Sequence, residues 1–296
     1  VVGLSALQGH DWGQQRLVNV LLQLGTAGGL YALFTQLLQT TRFAAERQRD
    51  PELVASQQAA LKVGVVLFAL NPVAVYAVAY LVQRSIVMAT LFVVLACLAW
   101  VRALTTGRYP WLGLSVLFYV LAVLSKEAAV TAAALAVPLY IFVARPGWKR
   151  TVQVLSVALL VVVVMAGFLL KAYGSIIGAI FDENSRLFVQ QLEAVSPGLS
   201  ARLYPLSIMN QAELFFRYGF LWLVPNVQWM SIDLRPAFPL TFASMPALAG
   251  TLGFLLLLAG AAWLLLRGAS ASASFLGLCL LFPLLLFFSE FVTVWV

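Results

Sequence analysis

Charge is what this chain has least of. Only 10% of its 296 residues are Asp, Glu, Lys or Arg, where a soluble domain carries about 25%, and the mean hydropathy is +0.96. A soluble fold cannot bury that much apolar surface, so the chain is expected to be a polytopic membrane protein. Histidine and cysteine are nearly missing, at one and two residues, and no spacing of a metal site or a disulfide framework appears. Cys97 and Cys279 each sit inside an apolar run, where a thiol behaves as a small hydrophobe. There is no Walker sequence, no glycine-rich phosphate loop and no internal repeat, which removes soluble nucleotide chemistry and solenoid architectures. The basic residues stand singly between hydrophobic runs, so the net charge of +7 makes no continuous patch for nucleic acid.

What is present is a series of apolar runs near the length of about 20 residues that a helix needs to cross a hydrocarbon core of about 30 Å. The candidate spans are Leu17–Leu38, Leu61–Leu81, Ser85–Leu104, Pro110–Leu124, Ala128–Val143, Thr151–Leu170, Pro246–Leu266 and Ser272–Phe288. The fold class expected is therefore all-α, a transmembrane helical bundle of about eight spans, with residues 1–296 forming one membrane domain. Val1–Leu4 carry no initiator Met or basic leader, and Val292–Val296 stop inside an apolar stretch, so the sequence is expected to be a fragment of a longer protein.

Orientation follows from the short loops. If Gln39–Ala60 is cytoplasmic, alternation puts ten basic and three acidic residues on that side and eight of each on the other, so the whole net charge lies inside. The tryptophans fall near span ends on both sides, as interfacial belts do. This count requires that Ile208–Val224 not cross. Gln211, Glu213 and Arg217 give it a polar face, so it is expected to lie along the outer interface. It belongs to the one long polar stretch, residues 171–246, which is expected to be an outer loop of functional length.

Two features point to a site. Ser125-Lys126-Glu127 places two opposite charges inside the apolar run Pro110–Val143, where each costs about 2.5 to 3.5 kcal/mol on insertion scales unless paired or in a cavity. Asn71-Pro72 interrupts the span that begins at Leu61, because proline lacks a backbone donor and clashes with the preceding turn. Ten residues before the break and fifteen in Pro110–Leu124 give helices of about 15 and 22 Å, both short of the core. Two short helices leave a recess below the outer surface, where Asn71, Tyr76, Gln83 and Arg84 are expected opposite Ser125, Lys126 and Glu127. Arg as a bidentate fork and Lys as a point charge suit a membrane-embedded phosphate.

Each signal has a plainer alternative. Lys126 and Glu127 form a mutually neutralising pair at a hairpin tip in one reading, Asn71-Pro72 a simple kink, and Arg84 a snorkelling anchor. His10-Asp11 lies near no nucleophile, and Asp182-Glu183 suits a solvated cluster. Tyr204–Asp233 is either a lid over the recess or a helix anchored by its aromatics.

Asn71-Pro72-Val73 with Ala77-Val78-Ala79-Tyr80 and Gln83-Arg84-Ser85 resembles the His-Pro, Val-Ala-Tyr, Arg pattern of GT-C superfamily membrane glycosyltransferases. Leu124–Ala128 is similar to their Ser-Lys-Glu motif, and Arg16–Leu22 resembles the entry to the preceding span. Within the superfamily the likeness is to transmembrane and tetratricopeptide-repeat O-mannosyltransferases and to bacterial pilin-glycosylating arabinofuranosyltransferases, over Arg16–Val143. It implies a multi-pass protein of the bacterial inner membrane that moves a sugar from a polyprenyl-phosphate donor to a protein such as pilin, or to a glycan, at the periplasmic face. It implies that Arg84 and Lys126 bind the donor phosphate and that Glu127 holds Lys126. No cofactor is expected, and the need for a divalent metal is left open by the sequence. Asn71 stands where the family has His. The family's catalytic acid lies upstream of the segment matching Arg16, so the general base is expected before Val1, and Asp11 is not assigned to it. The rivals are a transporter or flippase of a lipid-linked or anionic solute, which also uses broken helices, and a non-catalytic scaffold.

Overall fold

A computed structural model of the chain describes residues 12–44, 48, 50–79, 83–173, 178–180, 183–229, 234 and 236–294. Among these residues all regular structure is helical, with no strand. The long helices are α1 (Trp12–Leu38), α2 (Pro51–Leu70), α3 (Pro72–Ala79), α4 (Arg84–Thr106), α5 (Tyr109–Ser125), α6 (Ala136–Ala144), α7 (Trp148–Tyr173), α8 (Glu183–Val195), α9 (Leu203–Leu223), α10 (Met245–Arg267) and α11 (Ala271–Phe287).

Their ends follow local chemistry. Gly107 closes α4 in the left-handed conformation, φ 67°, its N–H bonded to Ala103 O. Pro110 and Pro246 fall in the first turns of α5 and α10, where the missing N–H is an orphan in any case. Ser270 caps α11 by accepting the Ala273 N–H at 3.0 Å.

Among the described residues, six helical stretches are long and apolar enough to cross a membrane: Gly13–Leu38, Arg84–Thr106, Glu127–Ala144, Trp148–Phe168, Met245–Arg267 and Ala271–Phe291. Ala55–Leu70 and Tyr109–Ser125 are shorter apolar helices. These two correspond to the expected spans that carry the break and the early stop. The chain is thus a helical membrane protein, and its lipid-facing surface is visible on α7, where Leu155, Leu159, Leu160, Val163 and Val164 are all exposed.

Inside, α4 packs on α1 and α5, and α10 pairs with α9 and α11. One core gathers Leu33, Leu37, Phe43, Val101, Leu135, Leu139, Phe142, Leu278 and Leu284. A smaller one, with Leu199, Leu203, Leu206, Phe238, Ala247 and Val294, lies under the segment the sequence assigns to an outer loop. That segment is itself largely helical, since α8 and α9 occupy it.

The sequence gives a plain span at Ala128–Val143, but its first half is wound more tightly. Glu127–Leu135 is a nine-residue 3₁₀ helix that runs into α6, far longer than the three or four residues such helices usually reach. Small side chains make this tolerable, because five of the nine are Ala and positions three apart eclipse in a 3₁₀ helix. The winding also matches length to bilayer. Eighteen α-helical residues reach about 27 Å, whereas nine at about 2.0 Å plus nine at about 1.5 Å reach about 31 Å, the thickness of the core.

Candidate functional site

The expected helix break is built by Asn71. Its Oδ1 accepts the Val73 N–H at 2.9 Å and its carbonyl the Ala74 N–H at 2.9 Å, with Pro72 at the first helical position of α3. This is the N-cap arrangement that Asn followed by Pro favours. The side-chain amide then donates to Trp222 O at 3.0 Å, tying the break to the end of α9.

Lys126 stands where α5 stops. Its N–H still bonds to Ala122 O at 3.0 Å, but its own backbone is extended, φ −154° and ψ 127°, so the chain reverses here and enters the 3₁₀ helix. Nζ meets Glu127 Oε1 at 2.8 Å, with the side chains 39% and 51% exposed. Glu127 occupies the first turn of the 3₁₀ helix, where backbone N–H groups favour a carboxylate. Tyr119 Oη bonds to Val130 O at 2.9 Å and Thr131 Oγ1 to Leu286 O at 3.3 Å, which docks the hairpin tip on the end of α11.

That docking brings in a residue the sequence reading missed. The 3₁₀ turn Phe288–Phe291, which packs against the 3₁₀ helix Glu127–Leu135, carries Glu290. Around it Phe215, Phe254, Phe287, Phe288 and Phe291 form an edge-to-face cluster with centroids 5.1 to 5.9 Å apart in their closest pairs. The Lys126–Glu127 pair and Glu290 are thus carried by 3₁₀ segments in contact, bordered by aromatic rings. A carboxylate at the end of an apolar run gives no sequence signal of this neighbour.

Arg84 is at a different junction. It is 2% exposed; Nε donates to Asn19 Oδ1 and Nη2 to Gln15 O, both at 2.9 Å. Asn19, fully buried, donates in turn to Val78 O at 2.9 Å. The three stretches that carry the resemblance in this part of the chain, around Asn19, Val78 and Arg84, therefore meet through one hydrogen-bond chain across α1, α3 and α4. No hydrogen bond or ion pair joins Arg84 to Lys126 among the described residues. Gln83 is the half-buried residue just before α4 and makes no capping bond with its side chain. Tyr76 lies on α3, and its side chain is outside the described residues, as are His10, Asp11, Asp182 and Asp233.

α9 departs from the face expected of it. Ser207, Asn210 and Gln211 are buried, and Glu213 is only 12% exposed in its ion pair with Arg217. The polar residues turn inward because α9 packs against α10. Between these helices lies a cleft of about 590 Å³, walled by Phe216, Phe220, Trp229 and Gly253, with Glu213 and Arg217 at its edge. Trp229 stacks on Phe220 at 5.9 Å and 27°, so the chain after α9 folds back over the cleft. Tyr204, at the other end of α9, bonds to Phe291 O at 3.0 Å.

Farther along the outer segment, Glu193 organises the turn after α8. Its carboxylate accepts from Ser200 Oγ and N–H at 2.7 Å and from Gly198 N–H at 2.6 Å. The Ser200 bonds above all hold its pKa below the ordinary 4.5. A lowered folded pKa means that the stabilisation is complete above the unfolded value and fades as pH falls through the folded one. Amide exchange at Gly198 and Ser200 is expected to be slow at pH 6, to accelerate as pH falls below about 4 once intrinsic rates are divided out, and to be fast at both pH values in Glu193→Gln. Equal protection in variant and wild type at pH 6 would rule this out.

No group of three His, Cys, Asp or Glu residues suited to a metal ion occurs among the described residues. Fold and site together define a polytopic helical membrane protein with a charged helix break at one end of its bundle. No protein-family profile, curated protein or solved structure matches the chain.

Proposed function

We propose that the chain is a GT-C-type membrane glycosyltransferase, with its site at the Lys126 end facing the periplasm of a bacterial inner membrane. The observation that carries this reading is the Lys126–Glu127 pair at the helix reversal, in a bundle where Asn19, Val78 and Arg84 interlock. The substrate is a sugar linked to a polyprenyl phosphate, and the acceptor a hydroxyl of a protein, pilin among them, or of a glycan. The acceptor oxygen bonds to the anomeric carbon as the bond from that carbon to the phosphate oxygen breaks, and the electron pair leaves with the polyprenyl phosphate. A carboxylate takes the hydroxyl proton.

In this scheme Lys126 stabilises the departing phosphate. An ammonium has three donors, so one stays on Glu127 while the others serve the ligand, and Glu127 orients the group without consuming it. Arg84 adds its charge from the α1–α3–α4 junction, and Asn71 and Gln83 are assigned to the approach.

The test is reconstitution of the protein in vesicles with a polyprenyl-phosphate sugar and an acceptor peptide. Sugar on the peptide supports the reading. Movement of the lipid-linked sugar between leaflets with no product would replace it by the flippase.

A further inference from the structure

At the opposite end of the bundle, the 3₁₀ turn Thr41–Phe43 drives Phe43 into the core and lays Arg42 over Phe142, with Cζ 4.9 Å from the ring centroid. Phe142 packs in turn on Phe43 and Phe275, so the guanidinium rests on a fixed aromatic floor. The ring attracts the flat face of the cation but leaves its in-plane N–H groups unserved. Nε and Nη1 are both covered by protein and have no acceptor among the described residues, while the residue as a whole stays partly open.

The nearest charge adds to the demand. Arg145 ends α6 three residues beyond Phe142, and it is the one non-glycine residue with positive φ, 45°, among those described. Burial first, and the Arg145 charge second, bring Arg42 down to about 10. No carboxylate lies in ion-pair range of either arginine among the described residues. The Ser270-capped start of α11 packs against the same turn, and the N-terminus of a 17-residue helix favours an anion too. Exposed Lys149 and Arg150 follow at the start of α7.

Two cations beside one aromatic floor, one of them with two covered donors lacking acceptors among the described residues, are unfavourable unless an anion joins them. We propose that Arg42 and Arg145 form an anion site that takes a phosphate group, presented by a lipid headgroup of the adjoining leaflet or free in solution. A guanidinium gives such a group paired donors. The site is separate from Lys126 and independent of the glycosyltransferase reading. Glu46, four residues after Arg42 in sequence, lies outside the described residues and is the internal rival for its donors.

The experiment compares thermal unfolding of the purified chain in zwitterionic detergent alone, with added phosphatidylglycerol, and with inorganic phosphate at matched ionic strength. The variants are Arg42→Gln, Glu46→Gln and Arg145→Gly, the last keeping a backbone that tolerates φ 45°. Ligand should raise the wild-type Tm. The half-saturating concentration should rise at least tenfold in Arg42→Gln and Arg145→Gly, and Arg145→Gly should lose no unliganded Tm, because it removes a repulsive charge. A rise with phosphatidylglycerol alone assigns the site to a headgroup, and a rise with inorganic phosphate to a free anion. The proposal is overturned if neither ligand shifts the wild type or if the variants respond as it does. It is equally overturned if Glu46→Gln and Arg42→Gln both lower the unliganded Tm, since Arg42 would then be paired within the chain.

Discussion

Lys126→Ala is expected to lower sugar transfer by about 10²–10³-fold or more, the usual cost of losing one donor that stabilises developing negative charge, while leaving membrane insertion and Tm near wild type. The side chain is 39% exposed and its one ion pair is with an exposed neighbour. Such pairs contribute about 0–1 kcal/mol, so its removal costs little stability. Arg84→Ala makes the contrast. It removes both 2.9 Å bonds from a residue that is 2% exposed and leaves the buried Asn19 Oδ1 without its donor. Each buried group so orphaned costs about 1–3 kcal/mol, so this variant is expected to lose Tm along with transfer. Measured side by side in vesicles with a polyprenyl-phosphate sugar, the pair separates a group that acts on the ligand from one that also holds the bundle. Transfer at the wild-type rate by Lys126→Ala would end the phosphate-site reading.

The features the sequence displayed best were those imposed by single residues with strong local rules. Asn71-Pro72 marked a helix break, and it is one, because Asn caps and Pro starts a helix wherever they fall together. Lys126-Glu127 marked the end of α5, since two charges within an apolar run require a chain reversal or a partner. Composition alone made the protein helical and membrane-bound.

What escaped depended on packing. The 3₁₀ winding of Glu127–Leu135 was hidden because an alanine-rich stretch has almost no amphipathic contrast to reveal 100° from 120° per residue. Gln211, Glu213 and Arg217 suggested a wet face on α9, whereas the close contact with α10 turned Gln211 and Glu213 inward. Arg84 was expected to face a phosphate, and its bonds to Asn19 and Gln15 of α1 were not visible in the sequence. Glu290 comes to the Lys126 end only because Thr131 docks on the end of α11. A hydropathy profile records how far a residue wishes to be from water, and it is silent on which neighbour supplies the shelter.

The contact between α9 and α10 supplies the other large effect. At Gly250 an added Cβ would lie 2.6 Å from Glu213 Cα and 2.7 Å from its N, both backbone atoms that cannot rotate aside. At Gly113 on α5 the same Cβ meets nothing within 4 Å. One substitution therefore has opposite consequences at the two sites. Gly113→Ala is expected to stabilise by about 0.5–1 kcal/mol, since Gly costs a helix interior that much relative to Ala. Gly250→Ala must push α9 away by roughly an ångström to restore van der Waals distance, and such overpacking costs about 1–3 kcal/mol. The damage would not stay local. Phe215 leaves Phe254 and Phe287, from which its centroid is 5.1 and 5.2 Å, and the aromatic border at the Lys126 end opens. Gly250→Ala should thus lower Tm and transfer together, and Gly250→Leu should prevent the detergent-solubilised bundle from folding, whereas Gly113→Ala retains or gains Tm. A Gly250→Ala protein as stable as the wild type would mean that α9 does not sit on α10 as closely as these distances require.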